Sequence, residues 1–410
     1  MKFIKKNEIS NNIIALAFVQ FANYISPLLI LPYLSRVLGV DGFGVIAIAM
    51  SLCGIAMIIT DYGFGLSAPY WLAKNRARKN DVARYIGAVF TVKFILFLVC
   101  ACVISIYFKL SNVIPREKFI HLAILGSIFF QTFQPSWFFL GIEKVKNVTF
   151  FMVISKLSYL VLVFLFVKNS SDVVVVLCCY AVSNLFATSF GIYFIYKEKY
   201  WVAFSSCQDV WAVLKEGGHF FASRLAVGVY TSASTFLVGS FVGAGAAALY
   251  GCAEKLYQAG QNLSSPVSQI LYPYLARTGN KNVLYKTVGI FIIPLSIGIS
   301  GCIYYSETII TIIFGPEFRS ATELLQIFLI TLVVNFIGVN FGYPAFASIG
   351  RVDIANNSVI FAAVLQLLSI SILYINDVIT AKNICISVLA VELIVALIRV
   401  IFFVFMSKKS

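Results

Sequence analysis

The sequence predicts an all-α integral membrane protein of about twelve transmembrane helices in two six-helix lobes. Three observations predict it. A dozen long apolar stretches are spread evenly over 410 residues, and a helix needs about 20 apolar residues to cross a bilayer. Hydrophobic residues make up 60% and charged residues only 12%, against about 25% charged in a soluble domain, so no stretch has the polarity of a separate soluble domain. Lys and Arg are also unevenly shared between the two sides: 19 fall in one set of loops and termini, 7 in the other, and 5 inside spans. The richer side is the cytoplasmic one, which places both termini in the cytoplasm and requires an even number of spans.

The first span, 12–38, follows a basic start (Lys2, Lys5, Lys6) and is too long for a cleaved signal peptide. It carries Gln20 and Asn23 one turn apart. Pro27 and Pro32 make it the best hinge candidate, because each proline removes a backbone donor and tends to kink a helix. A glycine-rich turn, 37–44, leads into the second span, 43–67, which contains Asp61. A basic loop with Lys74, Arg76, Arg78, Lys79 and Arg84 precedes the third, 83–108, with Lys93 inside it. The fourth, 119–141, holds Gln131, Gln134 and Trp137 around Pro135. The fifth, 147–167, holds Lys156, and the sixth, 173–195, is free of charge.

A polar segment, 197–218, then interrupts the chain at its middle, which sets the expected lobes at 1–204 and 205–410. Six is even, so both lobes enter the membrane with one orientation, as in transporters built from parallel repeats. A faint internal match supports this: the glycine-rich turns 37–44 and 241–247 lie 204 residues apart.

In the second lobe, the seventh span, 217–242, places Arg224, Gly228, Thr231, Thr235 and Gly239 at helical spacing. The eighth, 246–273, repeats Glu254, Gln258, Gln261, Ser265 and Gln269 every three or four residues, one face of an α-helix, with Lys255 and Asn262 beside it. The ninth is 285–305. The short apolar piece 307–314, closed by Gly315 and Pro316, reads as its continuation or as a re-entrant turn. The tenth, 321–347, carries Gly338 and Gly342 in small-xxx-small spacing, which favours helix packing. The eleventh is 353–375 and the twelfth 382–406. The latter contains Glu392 and, near its cytoplasmic end, Arg399, which is expected to snorkel.

The net charge of +14 is a topology and lipid signal here, not a nucleic-acid one, because the cations sit in the cytoplasmic loops. The nine cysteines lie mostly in apolar spans as packing residues, and with only His121 and His219 no metal-ligand spacing exists. No G-x-x-x-x-G-K-[ST], D-x-D or H-E-x-x-H motif is present, which argues against an enzyme.

Function is therefore sought among the ionizable residues inside the spans, which are costly in hydrocarbon and face an interior or an aqueous cavity. Arg224, Lys255, Lys93 and Lys156 are candidates for an anionic group, Arg224 foremost because a guanidinium grips phosphate bidentately. Gln20, Asn23, Gln258 and Gln261 are candidates for sugar hydroxyls. Asp61, Glu254 and Glu392 are candidates for exchanging H+ or Na+. No other cofactor is expected. The alternative for each charge is an ion pair between helices, for example Asp61 with Lys93 or Lys156. The amides of spans one and four suit helix–helix contacts equally well.

Four segments carry a family resemblance: 23–44 (NYISPLLILPYLSRVLGVDGFG), 60–68 (TDYGFGLSA), 249–256 (LYGCAEKL) and 313–318 (IFGPEF). In order along the whole chain they resemble Wzx-type O-antigen flippases of the multidrug/oligosaccharidyl-lipid/polysaccharide exporter superfamily. The resemblance implies two six-helix lobes around a central cavity. It also implies alternating access in the bacterial inner membrane, carrying an undecaprenyl-diphosphate-linked oligosaccharide to the periplasmic leaflet. Membrane lipids, an O-antigen polymerase and a chain-length regulator are the implied partners. Asp61, Arg224, Glu254 and Lys255 lie in the segments that match. Peptidoglycan-precursor flippases of the superfamily typically have fourteen spans, so twelve argue against that branch. The rival readings are a multidrug exporter, which calls for an acidic excess among the intramembrane charges, a membrane-embedded glycosyltransferase or polymerase, and a scaffold for polysaccharide assembly.

Overall fold

The computed structural model describes the backbone of residues 6–111, 113, 114 and 118–407. Side chains are described from Leu29 onward within that set, apart from 219, 222–224, 226, 227 and 229–232. Fifteen α-helices and one 3-10 turn make up the described chain, with no strand among the described residues.

The first unit contains α1 (Lys6–Asp61), α2 (Phe64–Asn75), α3 (Lys79–Leu110), α4 (Lys118–Thr132), α5 (Ser136–Gly141), α6 (Val145–Phe166) and α7 (Val173–Lys197). Then come α8 (Cys207–Val242), α9 (Ala244–Thr278), α10 (Lys281–Tyr304) and α11 (Ser306–Phe314). After the 3-10 turn Pro316–Ala321 follow α12 (Thr322–Asn340), α13 (Tyr343–Ala347), α14 (Val352–Ile375) and α15 (Ala381–Ser407). α1 is two membrane-length arms, broken where Gly39 takes φ 67°, ψ −174°. Counting those arms separately, and treating α2, α5, α11 and α13 as short extensions, twelve helical elements correspond in order to the twelve expected spans.

Eight described segments are individually long and apolar enough to cross a membrane. The remaining four fall short for separate reasons. The first arm of α1 and part of α8 lie largely outside the described side chains. α4 has 15 residues and relies on α5 to complete its path. α9 has 35 residues but is diluted by its polar stripe. The ambiguous piece 307–314 is resolved as α11, a continuation of α10 past Tyr305, ended by Gly315 at φ 108°.

The chain forms two compact units, Met1–Gly228 and Val229–Ser410. The expected boundary, 204/205, lies in the non-helical segment before α8, whereas this division falls inside α8. The first half of α8 is tied to unit one. Phe220 Cβ lies 2.7 Å from where a Cβ on Gly63 would sit, and Ile58 crowds Gly228 in the same way.

Backbone geometry repeats between the units. Gly39 and Gly243, 204 positions apart, both break a helix with φ 67° and 115° and extended ψ. The loops after α5 and α13 also coincide. Lys144 N donates to Phe139 O at 2.8 Å, and Arg351 N to Phe346 O at 2.9 Å. Glu143 (φ 63°) and Gly350 (φ 69°) each occupy the left-handed position between them, as a helix C-terminus of this type requires. Both units bury an aromatic core near these loops. In unit one it includes Phe64, Tyr85, Trp137, Phe138 and Phe151, and in unit two Phe336, Phe341, Phe346 and Phe403.

Candidate functional site

In unit one, the second arm of α1 ends at Asp61, and Tyr62 (φ 48°) with Gly63 (φ 82°) turns the chain into α2. The turn points the Asp61 carboxylate back along α2, where Oδ2 accepts from Gly65 N at 3.2 Å. Lys93 reaches it from α3, its Nζ 3.6 Å from Asp61 Oδ1 and 5.9 Å from the Phe64 ring centroid. The lysine side chain is 2% accessible and the aspartate 33%. A buried ammonium needs its counter-ion, and only the carboxylate side of the pair is open. An incoming group therefore meets Asp61 first.

In unit two, α8, α9, α12 and α15 bring two carboxylates near one tyrosine. Thr235 Oγ1 donates to Glu254 Oε2 at 2.6 Å. Asn335 Nδ2 donates to Glu392 Oε1 at 3.0 Å. Both carboxylate residues are buried, and both act electrostatically on Tyr257, whose ring stacks on Phe328 with centroids 5.1 Å apart.

The α9 stripe stays uncovered over several turns. Lys255 is exposed and its Nζ donates to Gln258 Oε1 at 3.0 Å. Gln261 Nε2 donates to the Tyr257 hydroxyl at 2.9 Å. Asn262 and Gln269 are exposed further along. The stripe thus begins at the buried Glu254 and runs outward along an accessible surface.

The other candidates separate. Lys156 is half-buried on α6 and engaged in an interaction there. The side chains of Gln20, Asn23 and Arg224 lie outside the described residues. In span four the helix–helix alternative holds: Gln134 Nε2 donates to Asn184 Oδ1 at 2.9 Å, and Trp137 is buried in the aromatic core.

Arg399 corrects the expectation of snorkelling. It is buried, its Nε donates to Ser358 Oγ at 2.8 Å and a terminal nitrogen donates to Gly338 O at 2.8 Å. The cause is the close approach of α12 and α15. A Cβ on Gly338 would lie 3.4 Å from Ala396 Cβ, and one on Gly342 3.1 Å from the Arg399 guanidinium. Sequence reasoning missed Asn335, an uncharged amide in an apolar span. The one available signal was its position three residues before Gly338. No group of three or more His, Cys, Asp or Glu capable of holding a metal exists among the described residues.

The family model described as "Polysaccharide biosynthesis protein" matches residues 9–279. A Shigella dysenteriae protein named "Putative O-antigen transporter" is 29% identical over 325 residues, covering 77% of this chain and 80% of that protein. A protein of the same name from Escherichia coli (strain K12) is 27% identical over 333 residues, covering 78% and 79%. Among solved structures, an inward-facing multidrug resistance MATE family transporter of the MOP superfamily is similar in fold, with TM-score 0.74, 12% identity, and 97% and 98% of the two chains covered. The lipid II flippase MurJ, in an inward closed conformation, is similar with TM-score 0.73, 13% identity, and 97% and 87% covered.

Proposed function

The chain belongs to the polysaccharide biosynthesis protein family, and on that premise we propose that it is a flippase for undecaprenyl-diphosphate-linked O-antigen repeat units. It moves them from the cytoplasmic to the periplasmic leaflet of the bacterial inner membrane by alternating access, coupled to H+ or Na+. The names of the two curated relatives support the substrate class.

The observation that carries the reading is the accessible polar stripe of α9. Amides and an ammonium left facing hydrocarbon would each cost several kcal/mol, so this face borders water along the membrane path. Such a surface suits the hydroxyls of a sugar chain while the lipid tail stays in the bilayer.

The charges then divide the work. In unit one Arg224, Lys156 and Lys93 add positive potential for the diphosphate, Lys93 from behind the Asp61 carboxylate it is paired with; in unit two Lys255 does. Asp61 takes part in the exchange of the coupling ion. Glu254 and Glu392 exchange the coupling ion; Thr235 donates to the first and Asn335 to the second.

The test is complementation of a host lacking its own O-antigen flippase but making the matching repeat unit. Wild-type protein is expected to restore surface polymer. Lys93→Met, made at equal abundance, is expected to leave lipid-linked repeat units on the cytoplasmic side. If wild type restores nothing while conferring resistance to organic cations, the protein is a drug exporter instead.

A further inference from the structure

We propose that unit one carries a second ligand site, at its basic end, that receives the first sugar and phosphate of the lipid-linked substrate before it enters the membrane path. The proposal rests on the flippase reading above and names a recognition site which that reading does not contain. Two adjoining cavities open where α2, α3 and α8 meet. The inner one, about 260 Å³, is lined by Trp71, Asn75, Tyr85, Asp209 and Glu216 among others. The outer one, about 370 Å³, is lined by Arg78, Lys79, Asn80, Asp81 and Arg84. Arg78, Asp81 and Arg84 border both.

The inner cavity has the chemistry of a sugar site. It joins an aromatic surface, the Trp71 ring stacked on Tyr85 with centroids 4.0 Å apart and planes 5° apart, to an amide and two carboxylates. Sugar hydroxyls need those acceptors, and the C–H face of a pyranose needs the aromatic wall.

One buried polar group there is unfinished. Tyr85 is 6% accessible and its hydroxyl has no hydrogen-bond partner among the described residues. Buried polar atoms are ordinarily paired; the hydroxyl is enclosed here, and under this proposal a ligand hydroxyl reaches it by displacing the cavity lining. The Asp209 carboxyl, held below the usual carboxylate range by the Ser206 backbone N–H and hydroxyl, remains an ionised acceptor at neutral pH.

The outer cavity has the chemistry of a phosphate site. The Arg78 guanidinium makes no ion pair or side-chain hydrogen bond among the described residues. Arg84 is paired with Asp81 at 3.5 Å and still 56% accessible. A bare anion is disfavoured by Asp81, Asp209 and Glu216, and a neutral sugar leaves the Arg78 guanidinium without a partner. A glycosyl phosphate, sugar inward and phosphate outward, uses both halves.

The experiment uses the full chain in phosphatidylcholine nanodiscs and saturation-transfer NMR with the 1-phosphates of glucose, galactose, mannose and N-acetylglucosamine. The expected result is transfer to the ring protons of at least one probe. Affinity is expected to fall about fivefold in Tyr85→Phe, which deletes only an unpaired hydroxyl, and roughly tenfold or more in Arg78→Gln, an exposed position. Export in the complemented host is expected to slow in both.

Three results overturn the site: no transfer from any probe, affinity unchanged in both variants, or transfer abolished by adding phosphatidylglycerol, which makes this a lipid-headgroup pocket. Unchanged export in variants that have lost binding overturns its role in transport. In each of these cases intact wild-type export leaves the flippase reading standing, whereas a wild type that exports nothing removes that reading whatever the NMR shows.

Discussion

Lys93 has no room to act alone. Its ammonium is enclosed while its partner Asp61 keeps a third of its side chain accessible. Removing one member of a fully buried pair costs about 3–5 kcal/mol. The open carboxylate lowers that, and Lys93→Met is expected to destabilise by about 2 kcal/mol, read as a lower thermal midpoint in detergent. The double variant Lys93→Met with Asp61→Asn is expected to recover most of that stability, because no unpaired charge remains, yet to stay inactive in export. Recovery of export by the double variant would make the pair purely structural. Glu254 invites a gentler change. Thr235 donates to it, and Glu254→Gln keeps an acceptor, so stability is expected to change by less than about 1 kcal/mol. The pH dependence of transport in proteoliposomes is expected to flatten, and an unaltered profile would remove Glu254 from the coupling step.

Two of the helix junctions depend on the absence of a side chain. The polar segment between α7 and α8 is strapped onto α3 by Ala203 N donating to Ala83 O at 3.1 Å. A Cβ on Gly87 would sit 1.9 Å from the Ala203 carbonyl oxygen, so no side chain fits while the strap is closed. Gly87→Ala is expected to open it, seen as faster proteolytic nicking within 199–206 with α3 and α7 still folded. The second case is Gly243, at φ 115° between α8 and α9 with open space around it. There Gly243→Ala meets only backbone strain, about 1–3 kcal/mol, and a correspondingly lower thermal midpoint is expected. Between α12 and α15 the same logic is reinforced by polarity. Gly338 and Gly342 let the helices approach until Arg399 donates to Gly338 O and to Ser358, bonds that hold helices together where apolar burial supplies no drive.

For the molecule as a whole, topology is the open quantity most easily measured. Cys207 is exposed at the start of α8, beside the basic end of unit one, and the excess of Lys and Arg predicts that this end faces the cytoplasm. An impermeant maleimide is expected to label Cys207 in inside-out vesicles and not in intact spheroplasts, and the opposite pattern would invert the assigned orientation. The crossing elements, their order and the repeat were legible in the sequence. Hydrocarbon forces each spanning backbone to satisfy itself as a helix, so length and apolarity suffice without knowing any neighbour. The α9 stripe was legible for the same reason, since its period belongs to one helix. What charge meets what charge was not legible, because pairing depends on the approach of elements far apart in the chain. The sequence listed Lys93 beside Lys156 as equal partners for Asp61, and the distance of 3.6 Å favours Lys93. It placed Arg399 at a membrane surface, and the small residues of α12 drew it inside. Nothing in the sequence singled out Trp71 or Tyr85, and only packing left a tyrosine hydroxyl buried and unpaired beside the Arg78 guanidinium. The sequence by itself determined that this chain spans a membrane many times and carries charge within it, because the bilayer acts on each segment separately. The tertiary structure alone decided which of those charges are enclosed, paired or open to a ligand, because that is a property of how segments meet.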